Sequence, residues 1–467
     1  MSDISKRIEN LPPDKLSKLI AELRKRKSNG GTHILPRNNK NIYPMSFAQS
    51  RLWFLHQLQP DSSFYIIPAI LKITGDLNVT YLEKSFNEII KRHEVLRSYF
   101  PEENGEPNQK LHNADDFNIK IFDYKDNSEF DSLEISDLAL KYTANQFDLR
   151  KDYLFNVNLL RISNDEHILF ITMHHIIADG WSIKIFVNEF IALYEGMVNG
   201  KAADLPEITI QYTDFAEWQN SQLKKGIYDE QYSYWKEKLL NMPQTIDLPI
   251  DRPRPKIQTY SGKKIKFTVE KEIVTKIAEY GVANGFTPFM VLLTSFQIFL
   301  SKISNQEDFG IGIPFVNRNN DETKQLIGFF INTLVIRAEL DPHCSFTNST
   351  MKAKNFLLSA MANSDLPFEK VVETVEHEKD LSFSPLFQVM FDYQDKPLKS
   401  FTFAGVKAKK IEGEVTSTKF DLMLSIENNG DSLVGAFEFN TNLFDASTIE
   451  RFILYYKKLL RGLLSEP

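Results

Sequence analysis

Residues 167–173 read His-Ile-Leu-Phe-Ile-Thr-Met, a near-continuous apolar run that ends on the pair His174-His175. This is the pattern of a strand buried on both faces, and such a strand needs covering layers on either side. The text continues Ile-Ile-Ala-Asp179-Gly180-Trp-Ser182, where Ser182 can cap a helix whose apolar side is Ile183, Phe186, Phe190, Tyr194 and Met197. From about residue 34 strand-like and helix-like patterns alternate, which argues for a layered α/β or α+β fold and against a bundle or a sandwich. Strands are expected over 264–269, 309–313, 334–340, 386–393 and 434–439, and a last helix over 446–464.

Thr80-x-x-Glu83 reads as a capping box ahead of Leu82, Phe86, Ile89 and Ile90, and that helix runs into Arg92-His93-Glu94 and a strand-like stretch over 95–100. Pro243, Pro249, Pro253 and Pro255 forbid a regular element over 241–262 and predict an extended connection. No repeat of 20–50 residues is visible, although the two halves are similar in size and style. The chain therefore divides into an N-terminal helix and linker over 1–33, a first lobe over 34–210 that carries the histidine pair, and a second lobe over 211–467. In the N-terminal segment Leu16, Leu19, Ile20 and Leu23 share one helical face, followed by Arg24-Lys25-Arg26-Lys27 and Ser28-Asn29-Gly30-Gly31. A tethered amphipathic helix of this kind can dock a partner helix or lie on the main body.

Composition narrows the partners. The net charge is −7, and since residues 1–30 hold eight basic and four acidic side chains the remainder carries about −11, which repels nucleic acid. Cys344 is the one cysteine, so no internal disulfide or cysteine metal cluster forms, and a reducing compartment is expected. No apolar segment follows the charged residues at the N-terminus, as a secretory signal would require, so the protein is placed in the cytoplasm. The greasiest stretch, 289–300, is broken by Thr294, Ser295 and Gln297 and falls short of the ~20 residues a membrane span needs. It is expected as a buried helix, with no membrane partner.

Adjacent strand residues face opposite ways, so His174 and His175 serve different ends, one facing a cleft and one held in the wall. An imidazole at a strand end, with a carboxylate four residues on and a glycine that permits an unusual turn, suits a proton acceptor. Zinc is poorly served, because the chain has no His-Glu-x-x-His and no cysteine pair. Gly-x-Ser-x-Gly, Gly-x-x-x-x-Gly-Lys and Gly-x-Gly-x-x-Gly are also missing, which argues against serine-hydrolase chemistry, nucleotide triphosphates and dinucleotide cofactors. An unaccompanied histidine base fits direct transfer between two bound reactants.

The residues from His174 to Ser182 resemble the core motif of the condensation domains of nonribosomal peptide synthetases. Six further stretches agree in order. Ser46-Phe-Ala-Gln49-Ser-Arg51-Leu-Trp53-Phe-Leu is similar to the first motif, and Arg92-His-Glu-Val-Leu-Arg97-Ser-Tyr-Phe100 to the second. Tyr212-Thr-Asp214-Phe-Ala-Glu-Trp218 resembles the fourth, Ile327-Gly-Phe-Phe-Ile-Asn332-Thr-Leu-Val-Ile-Arg337 the fifth, and Asp365-Leu-Pro367-Phe368-Glu369 the sixth. Asp380-Leu-Ser-Phe383-Ser-Pro385-Leu386 departs from the last motif, where an Arg is usual at the position of Phe383.

This resemblance, which spans about residues 34–465, implies two chloramphenicol acetyltransferase-like lobes arranged as a V-shaped pseudodimer around a tunnel. It implies that an upstream donor and a downstream acceptor peptidyl carrier protein present thioesters on phosphopantetheine arms, and that the downstream amine attacks the upstream carbonyl. Partners would be those carriers and an adenylation domain or other synthetase modules, with the chain itself a monomer that binds no cofactor or metal. It assigns His175 as the catalytic imidazole, His174 as a brace for the loop, Asp179 as a structural partner of Arg92, and Gly180 as a backbone donor near the oxyanion. Arg97 and Ser182 support the site, and Trp218 and Asn332 line the interior. The Arg-Leu-Trp opening and the Tyr-x-Asp-Phe-Ala-x-Trp stretch speak against epimerization domains, and the His pair against cyclization domains. Among condensation domains the text is most like the subtype that joins an L-donor to an L-acceptor. A starter domain that N-acylates with a fatty chain, an O-acyltransferase and a non-catalytic recruitment module are the alternatives.

Overall fold

The apolar run at 167–173 becomes the centre of a six-stranded sheet. In the computed structural model the described residues are 33–37, 42–58, 65–125, 138, 141–142, 147–375, 380–413 and 417–465, so the amphipathic stretch and linker expected over 1–33 lie outside them except for His33. Two six-stranded sheets are built from β1 (Ile66–Thr74), β2 (Lys120–Asp123), β3 (Phe155–Arg161), β4 (Glu166–His174), β5 (Gly262–Val269), β6 (Asp308–Val316), β7 (Ile331–Glu339), β8 (Val389–Asp395), β9 (Ser400–Phe403), β10 (Val406–Ile411), β11 (Leu422–Asn428) and β12 (Leu433–Asn440). The first sheet has the order β9-β10-β1-β4-β3-β2 and the second β7-β6-β8-β11-β12-β5. The helices are α1 (Phe47–Leu58), α2 (Val79–Arg92), α3 (Gly180–Val198), α4 (Tyr212–Lys224), α5 (Asp229–Lys238), α6 (Lys271–Asn284), α7 (Pro288–Ser304), α8 (Phe346–Ala362), α9 (Phe368–Thr374) and α10 (Ala446–Ser465). The architecture is therefore mixed α/β, as the alternating patterns require.

Strand β4 is buried on both faces for the reason its composition suggests. Leu169, Ile171 and Met173 point into one core with Leu82, Phe86 and Ile89 of α2, while Ile168 and Phe170 point the other way against Ile70, Leu160 and Tyr142. Burying one face on each core makes both parities of the strand apolar. β1 lies antiparallel to β4 with Ile66 opposite His174, so the histidine pair sits at the C-terminal end of this interior strand, where β1 begins.

The second sheet alternates more cleanly. Phe391, Leu424 and Phe437 pack with α7 and α10 in one large core, while their strand neighbours Asp392, Ser425 and Glu438 are polar and face away from it. The stretch at 289–300 falls inside α7, whose middle is fully buried. No single described helix is long and apolar enough to cross a membrane.

Several local expectations are corrected. The helix α2 is capped by Asn78, whose side chain accepts the Tyr81 N–H at 3.1 Å, and not by Thr80. The stretch at 95–100 is a 3₁₀ turn (Glu94–Arg97) followed by a two-residue strand (Ser98–Tyr99). The boundary at residue 210 does not separate the sheets, because β9 and β10 of the second half complete the sheet of the first, and Leu326, Ile327, Phe330 and Phe403 pack in its core.

The two sheets share a pattern that the sequence hides. β1, β4, β3 and β2 are joined antiparallel, antiparallel and parallel, and so are β5, β12, β11 and β8. β1 and β5 each lead into a helix, α2 and α6, and β4 and β12 each lead through a short turn into α3 and α10.

Candidate active site

His174 is the last residue of β4 and His175 the first of a 3₁₀ turn (His175–Ile177) that carries the chain into α3. Their roles divide as strand parity demands. His174 is buried at 2% exposure, and its Nδ1 accepts the Ile176 N–H at 3.1 Å, which fixes the ring proton on Nε2 and braces the turn. His56 meets its ring edge-on at 5.7 Å. Burial first, then the nearby His56 and Lys419 charges, push His174 down to about 3, so it stays neutral.

His175 keeps part of its surface open. Its N–H donates to the Tyr65 carbonyl at 2.7 Å, and its Nδ1 lies 3.3 Å from the Ala178 carbonyl, an acceptor that requires the proton on Nδ1. The lone pair is then on Nε2, which has no hydrogen-bond partner among the described residues. Burial, then the positive charge of Lys419, then His174 push His175 well below 6.5, while the Ala178 bond works weakly the other way. The ring of Phe329 stands 5.9 Å away, edge-on. The arrangement is a neutral imidazole with one nitrogen anchored and the other free to accept a proton.

Asp179 is the helix cap, in place of Ser182. Its Oδ1 accepts the Ser182 N–H at 2.8 Å, and its Oδ2 accepts the Phe330 N–H at 3.0 Å. It is fully buried, and its charge partner is Arg318 at 3.3 Å, a residue the sequence did not single out. Arg318 also donates to Ser182 Oγ at 2.9 Å and to the carbonyls of Thr323 and Leu326, and lies over the Phe330 ring at 4.0 Å. The expected Asp179–Arg92 pair does not exist. Arg92 instead holds Glu189 of α3 through two contacts of 3.1 and 3.3 Å. Glu189 also accepts from His93 Nε2, whose Nδ1 accepts the Ile327 N–H at 3.4 Å. A carboxylate further along α3 than expected serves Arg92, because α3 turns Glu189 and not its own cap toward α2.

Ser182 is buried in the same knot. Its hydroxyl oxygen lies 2.7 Å from both Asp179 Oδ1 and the Gly328 carbonyl, and it accepts the Gly328 N–H at 3.0 Å. Gly180 opens α3 with an ordinary backbone, since it is not among the glycines of positive φ, and a Cβ built there would meet nothing within 4 Å. What the glycine supplies is open space over its Cα and not an unusual turn. Arg97 donates to the His112 carbonyl at 2.9 Å and to Glu94 at 3.3 Å, a carboxylate it shares with Arg37, which also pairs with Asp214 at 2.9 Å. Arg97 therefore ties the second motif together through Glu94 and the His112 carbonyl.

Trp218 and Asn332 do not present free polar groups to the interior. Trp218 is half-buried against Phe215, with ring centroids 6.0 Å apart. Asn332 donates to the carbonyls of Ser364 and Leu366, both at 2.8 Å, and accepts from the amides of Thr333 and Phe368. It buckles the fifth motif to the sixth. Arg51 of α1 crosses to the same place, 3.6 Å from Glu369. Lys419 and Arg318 are the residues that sequence reasoning passed over; the spacing of Arg318 from Asp179 carries no local signal. Among the described residues no group of three or more His, Cys, Asp or Glu is arranged to hold a metal ion.

Comparison with known proteins bears on this site. The family model described as Condensation domain matches residues 39–467. One polypeptide of the linear gramicidin synthase of Brevibacillus parabrevis is 39% identical over 440 residues, which cover 93% of this chain and 8% of that protein. Phosphinothricin tripeptide synthetase PhsC of Streptomyces viridochromogenes is 35% identical over 475 residues, 100% of this chain and 43% of that protein. The chain thus spans less than half the length of these relatives. Among solved structures, the X-domain from teicoplanin biosynthesis has the same fold at a TM-score of 0.84 and 21% identity, with 93% of this chain and 98% of that one covered. With a family model across nearly all of its length and relatives well above 30% identity over the same span, the chain belongs to the condensation domain family.

Proposed function

We propose that the chain forms an amide bond between two thioesters delivered by carrier proteins. An acyl or peptidyl group on an upstream carrier offers its carbonyl, and the amine of an aminoacyl group on a downstream carrier attacks it. The C–N bond forms, the C–S bond breaks, and the upstream phosphopantetheine thiol leaves. His175 Nε2 accepts the proton that the amine loses, and the thiolate regains a proton as it departs. General-base help of this kind is worth ~10²–10⁴ in rate. Gly180, with open space over its Cα, lets the first amides of α3 approach the developing oxyanion. His174, Asp179, Arg92, Arg97, Ser182 and Asn332 act by holding the turn and the strands around it, and Trp218 by packing the wall.

The observation that carries this reading is the anchored Nδ1 and unpartnered Nε2 of His175, the one histidine of the pair with accessible surface. Both arms come from other domains or chains, so the partners are peptidyl carrier proteins and neighbouring synthetase modules, and no cofactor is held by this chain. The cytoplasm is the compartment where such modules meet carrier-bound aminoacyl groups. An L-configured donor and acceptor is the subtype proposed.

The test supplies purified chain with a donor-loaded and an acceptor-loaded carrier and follows the condensed thioester by mass spectrometry. Product from the wild type with loss in His175→Ala supports the reading. Binding of both carriers without any product would favour a recruitment module, and product only from a fatty acyl donor a starter domain.

A further inference from the structure

The face of the second sheet turned away from its core makes a groove that starts at the histidines. On β5, Ile265 and Phe267 pack into the core, which leaves Lys264 and Lys266 on the other face, opposite Glu438 and Ala436 of β12. Ser425 of β11 and Asp392 of β8 continue the row of Lys266 and Ala436, so the middle of this row, Ser425 and Ala436, is low. The inner end lies at the active site. Just before β5 the Tyr260 carbonyl accepts the Thr418 N–H at 2.8 Å, and Lys419 Nζ stands 4.6 Å from the ring of Tyr65, whose carbonyl holds the His175 amide. Exposure then grows outward: Gly262 is buried, Lys264 half-buried and Lys266 exposed on β5, and Met390, Asp392 and Gln394 follow the same course on β8.

Lysines gather at the outer end, where the hairpin of β9 and β10 meets the second sheet. Residues 396–411 hold five lysines and no carboxylate, in a chain whose net charge is −7. The Lys410 N–H donates to the Lys399 carbonyl at 2.8 Å, which sets two like charges side by side, a placement that costs stability unless an anion joins them. Lys266 contacts Glu412, and Lys399 meets Glu427 at 3.1 Å, while Lys410 has no carboxylate partner among the described residues. Both pairs have exposed lysines and hold them weakly. Burial first, then Lys264, Lys399 and Lys410, lower Lys266 against the pull of Glu427, as close neighbours would. The spacing is that of a known length. Gly262 to Lys266 along β5 is ~13 Å, and Tyr65 to Leu71, the neighbour of Lys410, is ~20 Å along β1. The roughly thirteen bonds from thioester sulfur to phosphorus in a phosphopantetheine arm extend ~16 Å, at the ~1.2 Å per bond of a stretched chain. We propose that this groove seats a phosphopantetheine arm, with Lys266, Lys399 and Lys410 at its mouth receiving the phosphodiester while the thioester end lies at His175.

The seat rests on the reading that carrier-borne thioesters are the substrates, and the experiment separates the two. Donor and acceptor are each offered as a phosphopantetheine thioester and as the pantetheine thioester that lacks the phosphate, and KM and kcat of amide formation are measured. The wild type should show a lower KM for at least one partner when the phosphate is present, an advantage that fades with added salt. The triple variant Lys266→Gln, Lys399→Gln, Lys410→Gln should raise that KM about tenfold and leave kcat and the phosphate-free KM in place. Lys407→Gln with Lys409→Gln removes charge from the opposite face of β10 and should change neither. An unmoved KM in the triple variant, an equal rise for the phosphate-free thioester, or an equal effect of the Lys407 and Lys409 pair overturns the proposal. Binding of a fluorescent carrier, with and without its phosphopantetheine arm, is followed by anisotropy on the same proteins. Arm-dependent binding that the triple variant loses, with no product from the wild type, would uphold the seat and overturn amide formation; His175-dependent product with no effect of the lysines would do the reverse.

Discussion

The two adjacent imidazoles are set apart by one hydrogen bond each. His174 accepts through Nδ1 and His175 donates through it, so the neutral rings carry their protons on opposite nitrogens. Because His175 is held well below 6.5, the acid limb of the rate is expected below pH 6.5 and not at it, as a rate–pH profile with saturating loaded carriers would show. His175→Ala should lose ~10²–10⁴ in rate with little change in melting. The buried ring of His174 also makes stability depend on pH. Its unfolded value is near 6.5 and its folded value about 3, so within that window the unfolded chain binds a proton that the folded chain refuses. Stability is thus full above pH 6.5 and falls as pH drops, by about 1.4 kcal/mol per unit for this group. Glu369, Asp392, Asp421 and Glu438, all raised by burial, bind protons first in the folded state and work the other way. Urea unfolding at pH 7 and pH 5 should show a smaller loss for His174→Asn than for wild type; equal losses would exclude His174 as the source. The pair itself was legible in the sequence through strand parity, whereas the tautomers depend on carbonyls and amides that only the turn brings near.

At the scale of elements, the strand β4, the turn and α3 were readable, but the caps and partners were misassigned. A Ser or Thr followed by helical text looks like a cap wherever it stands, yet the cap is the residue at which the backbone leaves the helix, and that was Asp179 for α3 and Asn78 for α2. Asp179 and Arg318 form a buried pair across 139 positions. Removing one member strands the other, at a cost of ~3–5 kcal/mol, so Arg318→Met and Asp179→Ala should each unfold at markedly lower denaturant. The double variant should lose less than the sum of the two singles, as a double-mutant cycle would measure. Gly328 offers a second check. A Cβ there would stand 2.0 Å from Tyr212 Cδ2, and Tyr212 is held by Ser46 at 2.8 Å and the Phe329 carbonyl at 2.6 Å. Gly328→Ala should therefore destabilise by ~1–3 kcal/mol through overpacking, with a lower melting temperature as the readout.

On the scale of the whole molecule, the two sheets repeat one plan without repeating one text. The turn after β4 runs His174-His175-Ile-Ile-Ala-Asp179-Gly180, and the turn after β12 runs Asn440-Thr441-Asn-Leu-Phe-Asp445-Ala446, with the same number of residues between strand and helix. Asn440 accepts the Asn442 N–H through its side chain as His174 accepts that of Ile176, and Asp445 pairs with Arg252 as Asp179 pairs with Arg318. The second copy keeps the frame and has Thr441 where the first has His175. The halves are also sewn together, since β9 and β10 complete the first sheet and Phe330 and Phe403 fill its core. Residues 34–210 expressed alone should consequently lack a cooperative unfolding transition, and a fragment that melts sharply would contradict this. Periodicity and motif order, being local, determined the layered α/β class, the buried strand, the long helix α7 and the place of the histidine pair at the end of β4. Sequence-distant contacts decided the rest: Arg318 as the partner of Asp179, Glu189 as that of Arg92, and Lys419 beside Tyr65. Each of those is a choice among many like-charged or like-shaped residues, and only tertiary packing makes it: α2 against α3 for Glu189, and the closing of one half of the chain upon the other for Arg318 and Lys419.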